Sequence, residues 1–248
     1  RLDRFSQDDD GVQATLVHEG DGDREESVTV PWMAGCDGAH STVRSALDLP
    51  FEGHKYPVHI IQTDSRVDLA MPVHDDEVTA FAGVGGMIAL FPLPTGENRY
   101  RFLLPRPEQE EIEPTLDHFQ EALDQLAPPG SKVSDPKWMV GFRIHCRMVP
   151  RLRVGRVFLS GDASHIHSPA GGQGMNMGMQ DAYNLAWKLA LYHRGEATEA
   201  LLDSYSAERH PVAAKTLGWT DRATSAGLIS MGLENKLVIG ARNHLASF

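Results

Sequence analysis

The chain has 248 residues, of which 41% are hydrophobic and 23% charged, enough to bury the core of one large domain or two small ones. A formal net charge of −11, with no block of Lys or Arg, argues against nucleic acid or an anionic membrane as the main partner and leaves a small uncharged or aromatic ligand. Cys36 and Cys146 are the only cysteines. They are too few for a disulfide framework and lack metal-binding spacing, and no signal peptide or membrane-length apolar run is present, so a soluble protein in the reducing cytoplasm is expected.

From the first residue the chain alternates polar and apolar positions, interrupted by DDDG and GDGD. The pattern predicts a meander of strands at 2–6, 12–18 and 27–34. The third strand runs into AGCDGAHSTVR, where Gly35 and Gly38 mark a turn and Ser41 caps a short helix reaching Leu47. LPFEGHKYP is expected to break the pattern. From residue 58 to 147 the texture is sheet-like, with short β-rich runs separated by Pro, Gly and Asp. One helix is predicted inside it, opened by Thr115 and carrying Leu116, Phe119, Leu123 and Leu126 at helical spacing. The sheet face between residues 78 and 104, with residues 138–143, is the expected wall of a substrate pocket. A buried strand follows at 156–160, then a glycine-rich loop. Helices are expected at 174–192, packed through Leu185, Trp187, Leu189 and Leu191, and at 198–229.

The loop reads GDASHIHSPAGGQGMN, residues 161–176, and three readings compete for it. Asp162, His165 and His167 are metal-ligand types, but three such side chains within six residues could meet one ion only if the loop folded back around it. An irregular loop with caps and packing histidines is the bland alternative. The third reading uses every part. A strand ending in Gly-Asp at the carboxyl edge of a parallel sheet offers an acceptor carboxylate to a ligand hydroxyl. Gly171, Gly172 and Gly174 allow close backbone approach. The helix beginning there aims the free amides of Gly174, Met175 and Asn176 at electron-rich oxygen.

GRVFLSGDASHIHSPAGGQGMNMGMQDAYNLAWKLA, followed by LLDSYSAERHPVA, resembles the "GD" region of flavoprotein aromatic hydroxylases of the para-hydroxybenzoate hydroxylase type, in the phenol and polyketide hydroxylase branch. AGCDGAHSTVR resembles the same family's DGxxSxVR motif, about 120 residues earlier. The resemblance implies an α/β fold: a two-dinucleotide FAD domain, here incomplete, with an inserted β-sheet substrate domain. It divides the chain at 1–50, 51–150 and 151–248, the outer parts forming the FAD domain. It implies that Asp162 binds the ribityl chain, that Pro169 borders the reactive side of the flavin ring, and that Gly172, Gln173, Gly174, Met175 and Asn176 serve its pyrimidine edge. Asp37 and Gly38 would lie by the FAD pyrophosphate and ribityl chain, with His40 and Arg44 on the phosphates of NAD(P)H. Asp37 as a plain turn cap, Arg44 as a surface charge and the two histidines as packing residues remain the alternatives.

The implied activity is hydroxylation of a phenolic or polycyclic aromatic substrate with NAD(P)H and O2 through a flavin hydroperoxide, with no metal and with homodimerisation left open. The family's opening GxGxxG is not found: GVGGMI and GQGMNM each lack the third glycine. The chain is therefore expected to lack the first part of its FAD domain and to hold FAD weakly alone. A non-catalytic module, or a related FAD epoxidase or halogenase, is the competing reading; no WxWxIP-type halogenase signature is present.

Overall fold

The computed structural model describes all residues except 21–22, 75, 84–85, 96, 108–111, 170 and 231–248, together with the side chains of 227–230. Residues 84 and 85 of the GVGGMI stretch thus lie outside the described residues. In chain order the elements are β1 (Leu2–Gln7), β2 (Val12–His18), β3 (Arg24–Val30), β4 (Met33–Gly35), α1 (Thr42–Ala46), β5 (Glu52–Asp68), β6 (Thr79–Gly83), β7 (Gly86–Pro92), β8 (Arg99–Pro107), α2 (Leu116–Leu126), β9 (Lys132–Ser134), β10 (Met139–Met148), β11 (Arg153–Val154), β12 (Val157–Leu159), a 3-10 turn at Gly161–Ala163, β13 (His165–Ile166), α3 (Gly174–His193) and α4 (Glu199–Ser230). The fold is mixed α/β. Two compact units divide the chain, one made of Arg1–His54 with His145–Thr224 and the other built on Lys55–Ile144.

In the first unit β1, β2 and β3 form the antiparallel meander. The expected third strand is two strands rather than one. Pro31 has no N–H to give a ladder, so the chain leaves the meander after Val30 and β4 joins another sheet, pairing in parallel with β12 through Val157↔Met33, Phe158↔Ala34 and Leu159↔Gly35. Behind this parallel pair Val157, Phe158, Leu159, Leu152, Leu185, Leu202 and Tyr205 make a core. Tyr205 ties α4 to β12 by donating its hydroxyl proton to the Leu159 carbonyl at 2.8 Å. Trp187, expected in the packing of α3, is 41% exposed, and the buried face of that helix is Met177, Asp181, Leu185 and Lys188.

The second unit is a sheet in the order β10-β5-β8-β7-β6, with β9 on the far end of β5 and α2 across one face. Alternation sends Ile61, Ile88, Leu90, Phe102 and Leu104 toward Phe119 and Leu123 of α2, with the Phe102 and Phe119 rings 5.0 Å apart. Strand β5 begins inside LPFEGHKYP, where a break was expected. Gly53 permits this: its φ of +137° is unusual for side chains, and a Cβ there would lie 2.0 Å from the Cys146 carbonyl oxygen. Among the described residues no helix is long and apolar enough to cross a membrane.

Candidate functional site

Two turns leave adjacent parallel strands at their carboxyl ends. One is Cys36–Asp37–Gly38 after β4, the other Gly161–Asp162–Ala163 after β12, and the Ser160 amide donates to the Gly35 carbonyl at 3.0 Å to hold the strands in register as they end. Ligands of open α/β sheets collect at such edges.

In the first turn Gly38 takes φ +80°, and the chain returns so that Ser41 caps α1, accepting from the Arg44 amide at 2.9 Å. The Asp37 carboxylate accepts from Ser41 Oγ and from the Val43 amide at 3.1 Å. It is therefore a cap of α1, and it stays exposed with lone pairs to spare. His40 is exposed beside it.

Arg44, expected on the phosphates of a nicotinamide cofactor, has its side chain turned inward, at 8% exposure. Its guanidinium donates to the Ala163 carbonyl at 3.0 Å and the Ala39 carbonyl at 2.7 Å and lies 3.9 Å from the centre of the Phe51 ring. Among the described residues the alternative pairing with a surface carboxylate is not formed. Two carbonyls and a ring occupy the planar fork, which explains why the cation tolerates burial.

In the second turn Gly161 has φ +59°, and its α-carbon sits against that of Gly178 on α3, where a Cβ on either would reach 3.4–3.5 Å. Asp162 is exposed, and among the described residues no side chain pairs with it. Beneath it lies a network the sequence reading missed. Asp181, wholly buried on α3, accepts from His165 Nε2 at 2.7 Å, from the Gly161 amide at 3.2 Å and from Arg209 Nε at 2.6 Å. Burial alone would push the Asp181 carboxyl up, but hydrogen bonds and charge from His165, Arg209 and Gly161 outweigh it and hold the group below the usual carboxylate range. The signal was available: acid and base at 181 and 188 share helical spacing with Met177 and Leu185, which marks paired buried charges.

His165 thus bonds to a buried carboxylate, while His167 donates from Nδ1 to the Ser168 carbonyl at 2.7 Å and leaves Nε2 buried without a partner among the described residues. Asp162, His165 and His167 do not converge, and among the described residues no cluster of three His, Cys, Asp or Glu is placed to hold a metal.

The glycine loop closes on the mouth of α3. Pro169 is exposed, and its carbonyl accepts from the Gly172 amide at 2.9 Å; Gly171 and Gly172 both have positive φ, +83° and +62°. Gln173 occupies the cap position of α3 without a side-chain capping bond, so the first-turn amides of Gly174, Met175 and Asn176 receive no acceptor from it. A Cβ on Gly172 or Gly174 would meet nothing within 4 Å. The arrangement is an open cradle with uncapped donors at the positive end of a 20-residue helix, next to an exposed carboxylate that accepts hydroxyls.

Residues 1–220 match the family described as FAD binding domain. The chain belongs to this family. Relatives in it include the rifampicin monooxygenase of Streptomyces venezuelae, 39% identical over 85% of this chain and 43% of its own length, and the pentachlorophenol 4-monooxygenase of Sphingobium chlorophenolicum, 38% identical over 87% of this chain and 40% of its own. Among solved structures, OxyS anhydrotetracycline hydroxylase from Streptomyces rimosus superposes with a TM-score of 0.75 at 32% identity, covering 98% of this chain and 47% of that one. The chain therefore spans less than half the length of these relatives. FAD is the family's cofactor, and the residues present fit it: an exposed carboxylate can accept from hydroxyls and an uncapped helix mouth can donate to electron-rich oxygen.

Proposed function

We propose that this chain is the flavin- and substrate-binding part of a monooxygenase that hydroxylates a phenolic or polycyclic aromatic ring, using NAD(P)H and O2. The observation carrying this reading is the uncapped mouth of α3 beside the unpaired Asp162 carboxylate. Pentachlorophenol and anhydrotetracycline in the relatives' names support the substrate class. Cys36 and Cys146, neither of them in a disulfide, fit the reducing cytoplasm we assign.

When bound, FAD would supply the redox chemistry, accepting a hydride from NAD(P)H and passing one atom of O2 to the ring while the other leaves as water. The protein's own residues bind and orient. Asp162 accepts from the ribityl hydroxyls and fixes the cofactor along the strand edge. The amides of Gly174, Met175 and Asn176, with Gly172 and Gln173 leading into them, donate to the pyrimidine edge, where the helix dipole favours negative charge as the ring is reduced. Pro169 walls the ring on its reactive side and brings no N–H to compete for oxygen. Asp37 and Gly38 lie on the neighbouring turn toward the ribityl and pyrophosphate region, with His40 free to meet a phosphate.

For the aromatic substrate we assign the face of the second unit's sheet opposite α2. Gln62, Ala89 and Leu103 pair across it, Ala80 and Ala82 are exposed, and Phe91 is 40% exposed. Small and flat side chains there suit a planar ring system.

The test is an amide-resolved NMR titration of the 248-residue chain with FMN and FAD to millimolar concentration. Shifts should concentrate at residues 161–163 and 171–177. Saturable shifts elsewhere, or none at all, would refute the assignment.

A further inference from the structure

The 3-10 turn at Gly161–Ala163 is gripped at both ends by charged side chains from different helices. At its start, the Gly161 amide donates to Asp181 of α3 at 3.2 Å. At its end, the Ala163 carbonyl accepts from Arg44 of α1 at 3.0 Å. Asp162, the middle residue, is the exposed one. Both gripping groups are themselves immobilised: Asp181 by His165 and Arg209, Arg44 by the Ala39 carbonyl and the Phe51 ring.

We propose that Arg44 and Asp181 are positioning residues, a two-sided clamp that sets where the Asp162 carboxylate stands relative to the mouth of α3. The relevance to cofactor rests on the reading above that Asp162 faces FAD; the clamp itself does not. A carboxylate on a three-residue turn is only as well placed as the turn, and a positive-φ glycine at its first position gives the turn no stiffness of its own. Asp181 restrains the glycine and, through His165, the strand that follows. Arg44 makes the turn's other end depend on the Asp37–Gly38 turn, because its second donor holds the carbonyl of Ala39. The two loops that meet at the sheet edge are thereby set by one guanidinium. An arginine is needed for this, since a lysine ammonium lacks a planar fork to span two carbonyls.

Amide hydrogen exchange on the ligand-free chain tests the clamp. In Asp181→Asn the Gly161 amide should exchange at least tenfold faster than in the parent, and in Arg44→Lys the Ser164 amide, which bonds back to Gly161 at 2.8 Å, should do the same. Amides of the β1–β2–β3 meander should keep their rates. Rates at 161 and 164 within twofold of the parent, or a rise shared equally by the meander, would overturn the proposal. Should Asp181→Asn fail to fold, Arg44→Lys decides alone on the same criterion. In a second arm FMN is titrated into each variant, and the dissociation constant read from the Asp162 amide shift should rise about tenfold. Unchanged affinity in a variant with loosened exchange would remove the positioning role. No FMN shift in the parent would instead sink the flavin reading, while the exchange arm still judges the clamp.

Discussion

Two glycines three residues apart serve opposite ends. Gly171 holds φ +83°, and a Cβ there would fall 2.6 Å from Cζ3 of Trp219, whereas Gly174 has ordinary helical geometry and open space around it. The Trp219 ring is 55% exposed and can swing away, so the cost of Gly171→Ala comes mainly from the left-handed backbone, roughly 1–2 kcal/mol. Gly174→Ala should behave the other way: alanine is the better helix former by about 1 kcal/mol, and the methyl group occupies the mouth where ligand backbone contacts form. Thermal unfolding with tryptophan emission should show Gly171→Ala less stable with a shifted indole spectrum, and Gly174→Ala at least as stable as the parent yet weaker in FMN binding. Equal stability losses in both would mean that the loop glycines are needed for folding alone. The glycines themselves were legible from sequence because special backbone is a local demand. The burial of Asp181 could be read from its spacing with Met177 and Leu185, but its partners could not, since Gly161, His165 and Arg209 stand 20, 16 and 28 residues away and only the packing of α3 unites them.

Helices α3 and α4 meet through polar rungs as well as apolar ones. Above the Asp181–Arg209 pair, Asn184 donates to Glu208 at 2.8 Å, and the fully buried Lys188 reaches Glu208 at 2.8 Å and Ser204. The Glu208 carboxyl is drawn down from 4.5 to about 2, first by the hydrogen bond from Lys188 and then by that from Asn184. A depressed carboxylate pKa adds stability that is complete above the unfolded value near 4.5 and disappears as the pH falls through about 2. Glu208 is half-exposed, so its loss in Glu208→Gln should cost roughly 1.5 kcal/mol, near the lower end for a charged hydrogen bond. Urea unfolding of parent and variant should differ by that amount at pH 6 and converge near pH 2; a gap independent of pH would assign the effect to packing. At this scale the sequence was readable wherever the signal was local. Ser41 and Thr115 stand at the caps of α1 and α2, and Val12–His18 is the whole of β2. It misled where partners are remote: Pro31 divides a run that reads as one strand, and β5 crosses Gly53 and Pro57 because a neighbouring backbone comes close enough to require a glycine.

Across the whole chain the recognisable features are those of one half of a dinucleotide site. The GD turn, the helix mouth and the DG turn were legible as motifs, since each demands a fixed order of Gly, Asp and Arg. The orientation of Arg44 was not, because a motif specifies that a guanidinium is present and only the fold shows that it points inward. Within these 248 residues no GxGxxG occurs, and the Arg44 guanidinium is committed to the Ala163 and Ala39 carbonyls. A flavin nucleotide should therefore draw its affinity for this chain chiefly from the isoalloxazine and ribityl portions. The adenylate half of FAD adds a second phosphate and an adenine ring, and a phosphate loop would reward it with charge-assisted bonds of about 1.5–3 kcal/mol each, or roughly tenfold in affinity per 1.4 kcal/mol. Without such a loop FMN and FAD should bind within about threefold of each other, and at micromolar FAD a site of millimolar affinity should stabilise the fold by well under about 1 kcal/mol. Parallel FMN and FAD titrations followed by amide shifts measure the ratio directly. FAD binding tenfold or more tighter than FMN would reveal adenylate contacts supplied by other residues, and His40, exposed beside the Asp37–Gly38 turn, is the side chain whose alanine variant should then abolish the difference.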